Sequence, residues 1–348
     1  MKTLAIAEKV FDHYEKEHDV SHYYGIIALY GLVNIARNSD DPWLKDRVRC
    51  TLGRFPDRVR HGRYNFPSYT IGGIARAYAF YLDYMPESVE MVREYAEEMM
   101  TQAPRGENGI FSLIASPEKL WIDVATAVTP FLLYAGLKLG ELRYLDEAVA
   151  QTMKMYNLFL DESCGLLHQS KNFNGAGKFS QDHWSRGNGW GYFPMALLVR
   201  DLPPDYPERP AIEKTFKAYT DSLIAYQTDS GMWCQEITHD LSYEETSGTG
   251  LILFGIGAGI QAGVLDAATC LPVFKKGLHG LMQVSITDDF AIDNSCPGCL
   301  CPGEGDMKGT IKAYVTLKLP YKDEPHGAGP VVMAFAMAAA LGIDEWSV

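Results

Sequence analysis

The residues best equipped for chemistry cluster in HWSRGNGW, His183 to Trp190. A Gly/Asn-rich loop, KNFNGAGK (Lys171 to Lys178), precedes this stretch, and an apolar run from Tyr192 to Val199 follows it. The motif therefore reads as a helix start. Glycines there permit a tight turn and the close approach of a ligand. Trp184 and Trp190 offer flat apolar faces on which a sugar ring can stack. Arg186 offers a fixed fork of donors that matches a carboxylate. Indole plus guanidinium is what an acidic sugar needs. The same residues also fit a structural role, with Arg186 capping a helix C-terminus and the indoles in the core.

Asp123 lies in LWIDVATAV, flanked by apolar residues. A carboxyl group in such surroundings has its pKa raised and can carry a proton near neutral pH. An N-cap aspartate would occupy the same position. His168 follows Gly165-Leu166-Leu167, where a turn leads into a short extended piece, and His326 stands in HGAGP. Either histidine suits a structural role as well as a site role. Glu244 and Glu245, with Glu236 and Asp240 nearby, could supply the second carboxylate of an inverting glycosidase or form a solvated acidic face. Cys296, Cys299 and Cys301 (CPGCLC) invite a metal reading. A structural zinc usually takes two such pairs, and the sequence has only one, so a reduced surface loop is expected. No phosphate-binding or dinucleotide fingerprint is present, and no cofactor is expected.

These residues need elements to position them, and the chain reads as helix after helix. The hydrophobic share is 47% and the charged share 22%, as in a soluble globular protein. Thr3 to Lys16 pairs with Tyr23 to Ala36, Pro42 to Leu52 with Ile71 to Tyr84, and Pro86 to Thr101 with Val124 to Leu139. Leu142 to Leu160 then pairs with Trp190 to Val199, Pro210 to Gln227 with Thr246 to Ala262, and Leu271 to Val284 with His326 to Leu341. Pro42, Pro86 and Pro210 sit where a first-turn proline is tolerated. Six hairpins closing into a ring make an all-α (α/α)6 toroid, and residues 1–348 are expected to form one catalytic domain.

The second helix of each pair is unusually apolar and rich in small residues, as an inner ring would be. Polar and aromatic residues gather at the starts of these helices: Tyr23 and Tyr24, Tyr69 and Thr70, Asp123, Arg186 and Trp190, Glu244 to Ser247, and His326. If the inner helices run parallel, these groups meet at one mouth. Free N–H groups and positive dipole ends there favour an anion. Thr246 and Ser247 also read as ordinary caps.

The net charge of −13 argues against nucleic acid or an anionic membrane as partner. No stretch approaches the ~18 apolar residues of a membrane span. The N-terminal stretch does not read as a signal peptide, and the seven cysteines are mostly scattered, so a cytoplasmic location is expected. Nothing in the sequence assigns an oligomeric state.

Three stretches, in order, give the chain a resemblance to a known family. They are IDVATAVTPFLLYAGLKLGELRYLDEAVAQ with GLLHQ after it, HWSRGNGW, and YEETSGTGLILFGIGAGIQAGVLD with HGAGPVVMAFAMAA. Together they resemble the unsaturated rhamnogalacturonyl hydrolases, glycoside hydrolase family 105, relatives of the unsaturated glucuronyl hydrolases of family 88. The resemblance implies an (α/α)6 toroid acting on oligosaccharides that end in a 4,5-unsaturated uronic acid. It implies vinyl-ether hydration with Asp123 as the acid/base. Arg186 and His168 would bind the uronyl group, and Trp184 and Trp190 would shape the site. Tyr24, Tyr69, Thr70 and His326 complete the expected substrate-binding set. The family usually has a further acidic residue near the start of the second inner helix. Here that region reads NFPSYTIGG, and Tyr69 or Thr70 would serve as a neutral substitute. An inverting toroid glycosidase and a non-catalytic sugar-binding relative are the alternatives.

Overall fold

The computed structural model describes residues 1–55, 67–112, 116–239 and 241–346. Helices dominate: α1 Thr3–Glu17, α2 Gly25–Arg37, α3 Pro42–Leu52, α4 Gly73–Tyr81, α5 Val89–Gln102, α6 Asp123–Leu139 and α7 Leu142–Phe159. They continue as α8 Ser185–Asp201, α9 Arg209–Ile224, α10 Thr246–Gln261, α11 Ala267–Gly280, α12 Ile311–Leu317 and α13 Ala328–Ala340. Each of the twelve expected helices has a counterpart, and α12 is an extra short helix in the last connection.

The inner ring is α2, α4, α6, α8, α10 and α13. Each packs on the next, and α13 packs back on α2, which closes the toroid. These helices are buried along nearly their whole length. The outer helices instead bury one stripe each, as the amphipathic pattern requires. Small residues let the inner helices approach closely. A Cβ on Gly250 of α10 would stand 2.6 Å from the carbonyl carbon of Pro330 in α13, and one on Gly248 would stand 2.4 Å from Ser185 Oγ. No larger side chain fits there without moving backbone.

The helices begin on identifiable signals. Asp41 accepts from Trp43 N ahead of Pro42, Asp266 caps α11, and Glu245 caps α10 through Ser247 N and Gly248 N. Arg200 and Asp201 at the end of α8 pair at 2.8 Å and bond to Tyr30 and Tyr134, a polar plug within the ring. Short two-stranded pieces decorate the helix N-terminal side: β1 Leu120–Trp121 with β4 Ser170–Lys171, β2 Leu160–Asp161 with β3 Leu166–Leu167, and β5 Trp233–Cys234 with β6 Glu244–Glu245. Among the described residues no helix is long and apolar enough to cross a membrane.

Helix α8 starts at Ser185, five residues before the expected Trp190. Gly187 and Gly189, expected to permit a tight turn, instead act with Gly191 as packing residues inside the helix, against Trp184, Leu251 and Leu167. Arg186 therefore lies in the first turn of an inner helix.

Candidate active site

One cavity gathers the N-terminal ends of five of the six inner helices, all but α10. Tyr23, Tyr24, Ile26 and Ile27 line it from α2 and its approach, Tyr69 and Ile74 from α4 and the turn before it, and Trp121, Asp123 and Thr126 from β1 and α6. Trp184, Arg186 and Trp190 line it from α8 and His326 from the approach to α13. Gln169 and Gly298 to Leu300 complete the wall. The structure thus brings together Asp123, Trp184, Arg186, Trp190, Tyr24, Tyr69 and His326. It leaves two expected residues outside. Thr70 is buried in the short turn before α4. His168 faces away and stacks between Phe179 and His183. Its neighbour Gln169 takes the wall position, because successive residues of an extended piece point to opposite sides.

Asp123 is the first residue of α6 and does not cap it; the N-cap is Ile122. The Asp123 Oδ2 atom is buried without a hydrogen-bond partner. Burial pushes its carboxyl up to about 7, against the pull of the Arg186 charge. A group poised there holds a proton for part of the time at neutral pH and can exchange it.

The Arg186 side chain is 1% exposed. Its Nη1 donates to Ser247 Oγ at 2.9 Å and to the Cys296 carbonyl, and its Nη2 donates to the Pro297 carbonyl at 2.9 Å. The guanidinium also lies over the Trp184 ring, 4.3 Å from its centroid. The fork expected to clasp a ligand carboxylate is thus largely engaged by the 296–297 backbone, and Nε remains unpaired. Its full charge still acts on the cavity.

The CPGCLC segment is not the expected surface loop. Cys296, Cys299 and Cys301 are all buried as free thiols. Arg186 holds two of its carbonyls, and Glu245 Oε1 accepts from Cys296 N at 2.9 Å. The segment folds inward because a buried arginine needs acceptors, and these carbonyls supply them.

His326 is oriented from both sides. Its Nδ1 donates to Glu324 Oε1 at 2.6 Å, which leaves Nε2 to accept from the Tyr23 hydroxyl at 2.9 Å. Burial and the Arg186 charge hold this imidazole below its usual range, so it stays neutral. Tyr24 packs edge-on to it with ring centroids 5.3 Å apart.

Four lining residues carry polar atoms with no partner in the protein: Asp123 Oδ2, Gln169 Nε2, Trp184 Nε1 and Arg186 Nε. Buried polar groups are normally satisfied, so four orphans in one cavity mark a place for a polar ligand. Three are donors and one is a carboxyl oxygen. That set suits an oxygen-rich anion beside a proton donor, and indole faces suit a sugar ring.

The other acidic residues are employed elsewhere. Glu245 accepts from Ser247, Gly248, Ser185 and Cys296, and Glu244 accepts from Thr228 and Ser230. Glu236 is fully buried and accepts from His183 N. Asp240, Asn65 and Phe66 lie outside the described residues. Among the described residues, Asp123 is the single carboxylate lining the cavity.

Sequence reasoning missed Gln169, Trp121, Thr126 and the 298–300 wall. The alternation around His168 was the one available signal for Gln169.

Residues 4–341 match the model of the family described as Glycosyl Hydrolase Family 88. An unsaturated 3S-rhamnoglycuronyl hydrolase of Formosa agariphila is 30% identical over 178 residues, covering 48% of this chain and 47% of that protein. An unsaturated rhamnogalacturonyl hydrolase of Bacillus subtilis is 23% identical over 202 residues, covering 56% of each. The chain thus aligns with about half the length of these curated relatives. Among solved structures, a possible family 105 member from Salmonella enterica superposes with a TM-score of 0.82 at 19% identity, covering 98% of this chain and 94% of that one. The unsaturated glucuronyl hydrolase of Bacillus sp. GL1 superposes with a TM-score of 0.71 at 15% identity, covering 97% and 95%. These likenesses agree with the closed ring of six hairpins. With its sequence matched from residue 4 to residue 341, the chain belongs to Glycosyl Hydrolase Family 88.

Proposed function

We propose that this protein removes a terminal 4,5-unsaturated uronic acid from oligosaccharides by vinyl-ether hydration, with residues 1–348 acting as one catalytic domain. The observation that carries the reading is Asp123, a lone carboxyl in an indole-lined cavity, pushed up to about 7 by burial. Direct glycosidic displacement calls for two carboxyl groups. Hydration of an enol ether needs one proton donor that can then act as base.

In this reading Asp123 protonates C4 of the double bond. The ring oxygen stabilises the cation that forms at C5. Water adds at C5, giving up a proton to the Asp123 carboxylate. The resulting hemiketal opens and releases the partner sugar. The Arg186 charge and the Gln169 and Trp184 donors hold the uronate, and Trp190 and the Tyr24–His326 pair bound the ring. The names of the curated relatives, hydrolases of unsaturated rhamnoglycuronyl and rhamnogalacturonyl substrates, support this substrate class. Free thiols at all seven cysteines are in keeping with the reducing cytoplasm.

The test is loss of the ultraviolet absorbance of the conjugated double bond, across a panel of lyase-generated unsaturated disaccharides. Loss with the wild type but not with Asp123→Asn is expected. No loss on any member of the panel, or loss that survives the substitution, overturns the reading.

A further inference from the structure

Outside the cavity, three potential metal-ligand atoms converge. Asp161 Oδ2, His168 Nε2 and His183 Nε2 all lie within 4.8 Å of one another. Asp161 Oδ2 is 3.1 Å from His183 Nε2 and 3.8 Å from His168 Nε2. Donors bound to a tetrahedral ion at 2.0–2.1 Å stand about 3.3–3.4 Å apart, between these two separations.

The surrounding hydrogen bonds turn each donor inward. His168 Nδ1 lies 3.2 Å from the Asp182 carbonyl, which can only accept, so the ring proton sits on Nδ1. That leaves the His168 Nε2 lone pair facing the cluster. His183 Nδ1 lies 3.2 Å from Thr238 Oγ1, whose own proton goes to Glu236 Oε1 at 3.1 Å. His183 Nδ1 is thus held by Thr238, and its Nε2 is turned onto Asp161 Oδ2, its hydrogen-bond partner at 3.1 Å. Asp161 Oδ1 is occupied by Ser163 N at 2.9 Å and Ser163 Oγ at 2.6 Å, which leaves Oδ2 for the cluster. Two imidazole nitrogens and a carboxylate oxygen thus point at one another, and a bound ion would take the place of the proton that His183 Nε2 and Asp161 Oδ2 share at 3.1 Å. Histidine ligands held by a carbonyl or hydroxyl at the far nitrogen are the usual supporting arrangement of a metal site. Exposures of 19% for the His168 side chain, 25% for Asp161 and 10% for His183 leave the cluster reachable from solvent. Cys164 Sγ, 3.3 Å from His183 Nε2, stands beside the set.

We propose that Asp161, His168 and His183 bind a divalent ion of the zinc class, which ties the β2–β3 hairpin and its exit to the start of α8. Two nitrogens and one oxygen suit zinc better than calcium or magnesium. The ion's place in the chain gives it a role. His168 immediately precedes Gln169, and His183 immediately precedes Trp184, two residues that present unpaired nitrogens to the cavity. Fixing both histidines to one ion fixes the two cavity donors relative to each other. The site stands apart from the reading of the cavity and does not depend on it.

The test uses the full chain, stripped with a chelator and dialysed. Calorimetric titration with zinc chloride should show one equivalent bound. Cobalt chloride should give the visible absorption of a tetrahedral ion. A hundredfold excess of zinc over Kd should raise the melting temperature by roughly 3–5 °C. Asp161→Asn and His168→Gln, made separately at partly exposed side chains, should each weaken zinc binding at least tenfold while circular dichroism stays unchanged. A cluster bridged by protons alone would bind neither ion, and that result overturns the proposal. So does binding that survives both substitutions, which would place the ion at the buried cysteines.

Discussion

Asp123 and Arg186 occupy the first turns of neighbouring inner helices, and each presents an unpaired buried atom on the wall of the same cavity. Their electrostatics are opposed. Burial raises the Asp123 carboxyl to about 7, and the Arg186 charge restrains that rise. The pair sets a proton donor beside a fixed positive charge, which is what protonation of an anionic enol ether requires.

Asp123→Asn should lower kcat by about 10²- to 10⁴-fold, the usual worth of a positioned acid/base. In the wild type, kcat/KM should fall about tenfold per pH unit above pH 7, because the protonated form is the competent one. Steady-state rates from pH 5 to 9 check both points. An unchanged rate in the variant, or a flat profile across pH 7, would remove Asp123 from the chemistry.

Gln169 offers a second, independent test. Its Oε1 accepts from Cys301 N at 3.1 Å and from the Tyr314 hydroxyl, so the amide is oriented and Nε2 is left unpaired on the cavity wall. Gln169→Glu keeps the acceptor and replaces the donor with negative charge. Losing a buried hydrogen bond to a charged ligand costs about 1.5–3 kcal/mol. KM for an unsaturated disaccharide should therefore rise about 10- to 100-fold, and the melting temperature should fall wherever the new buried carboxyl ionises.

The ring of helices was legible in the sequence because its signals are local. Apolar, small-residue runs marked α2, α6, α10 and α13, and Pro42 marked the start of α3. Asp123 was legible for the same reason, as a carboxyl inside an apolar stretch. Three features were not legible. The glycines of α8 have the same composition whether they turn a loop or pack against Leu251 and Leu167. His168 and Gln169 differ by one position, and only the strand register decides which faces the cavity. The inward fold of Cys296 to Cys301 depends on Arg186, 110 residues away in sequence at the Cys296 carbonyl, and no local pattern reports such a contact.

That contact makes Arg186 a structural residue as well as a cavity-lining one. Arg186→Met would leave the Cys296 and Pro297 carbonyls and Ser247 without their donor. It would also leave Glu245, 4.0 Å away, without its cation. Removing one partner from such a buried charged network costs about 3–5 kcal/mol. The urea midpoint should drop accordingly, and KM should rise as the 298–300 wall loosens. Arg186→Lys retains the charge without the fork and should recover part of the binding but little of the stability. Equal stability of all three proteins would show that the loop is held by other contacts.

The raised pKa of Asp123 also carries a stability cost whose sign can be worked out. The folded carboxyl titrates at about 7 against an ordinary value of 3.8. Between these values the native state binds more protons than the unfolded state, so stability falls as pH rises. The loss is absent below about pH 4 and complete above about pH 7. A span of about three units is worth about 4 kcal/mol at most. Asp123→Asn removes the titration while nearly preserving shape. It should therefore match the wild type in stability near pH 4 and exceed it at pH 8, where the wild type must bury a charge. Urea denaturation of both proteins at the two pH values measures the difference directly. If the variant gains nothing at pH 8, the Asp123 carboxylate is already well solvated or paired. The buried acid on which the catalytic reading rests would then be absent.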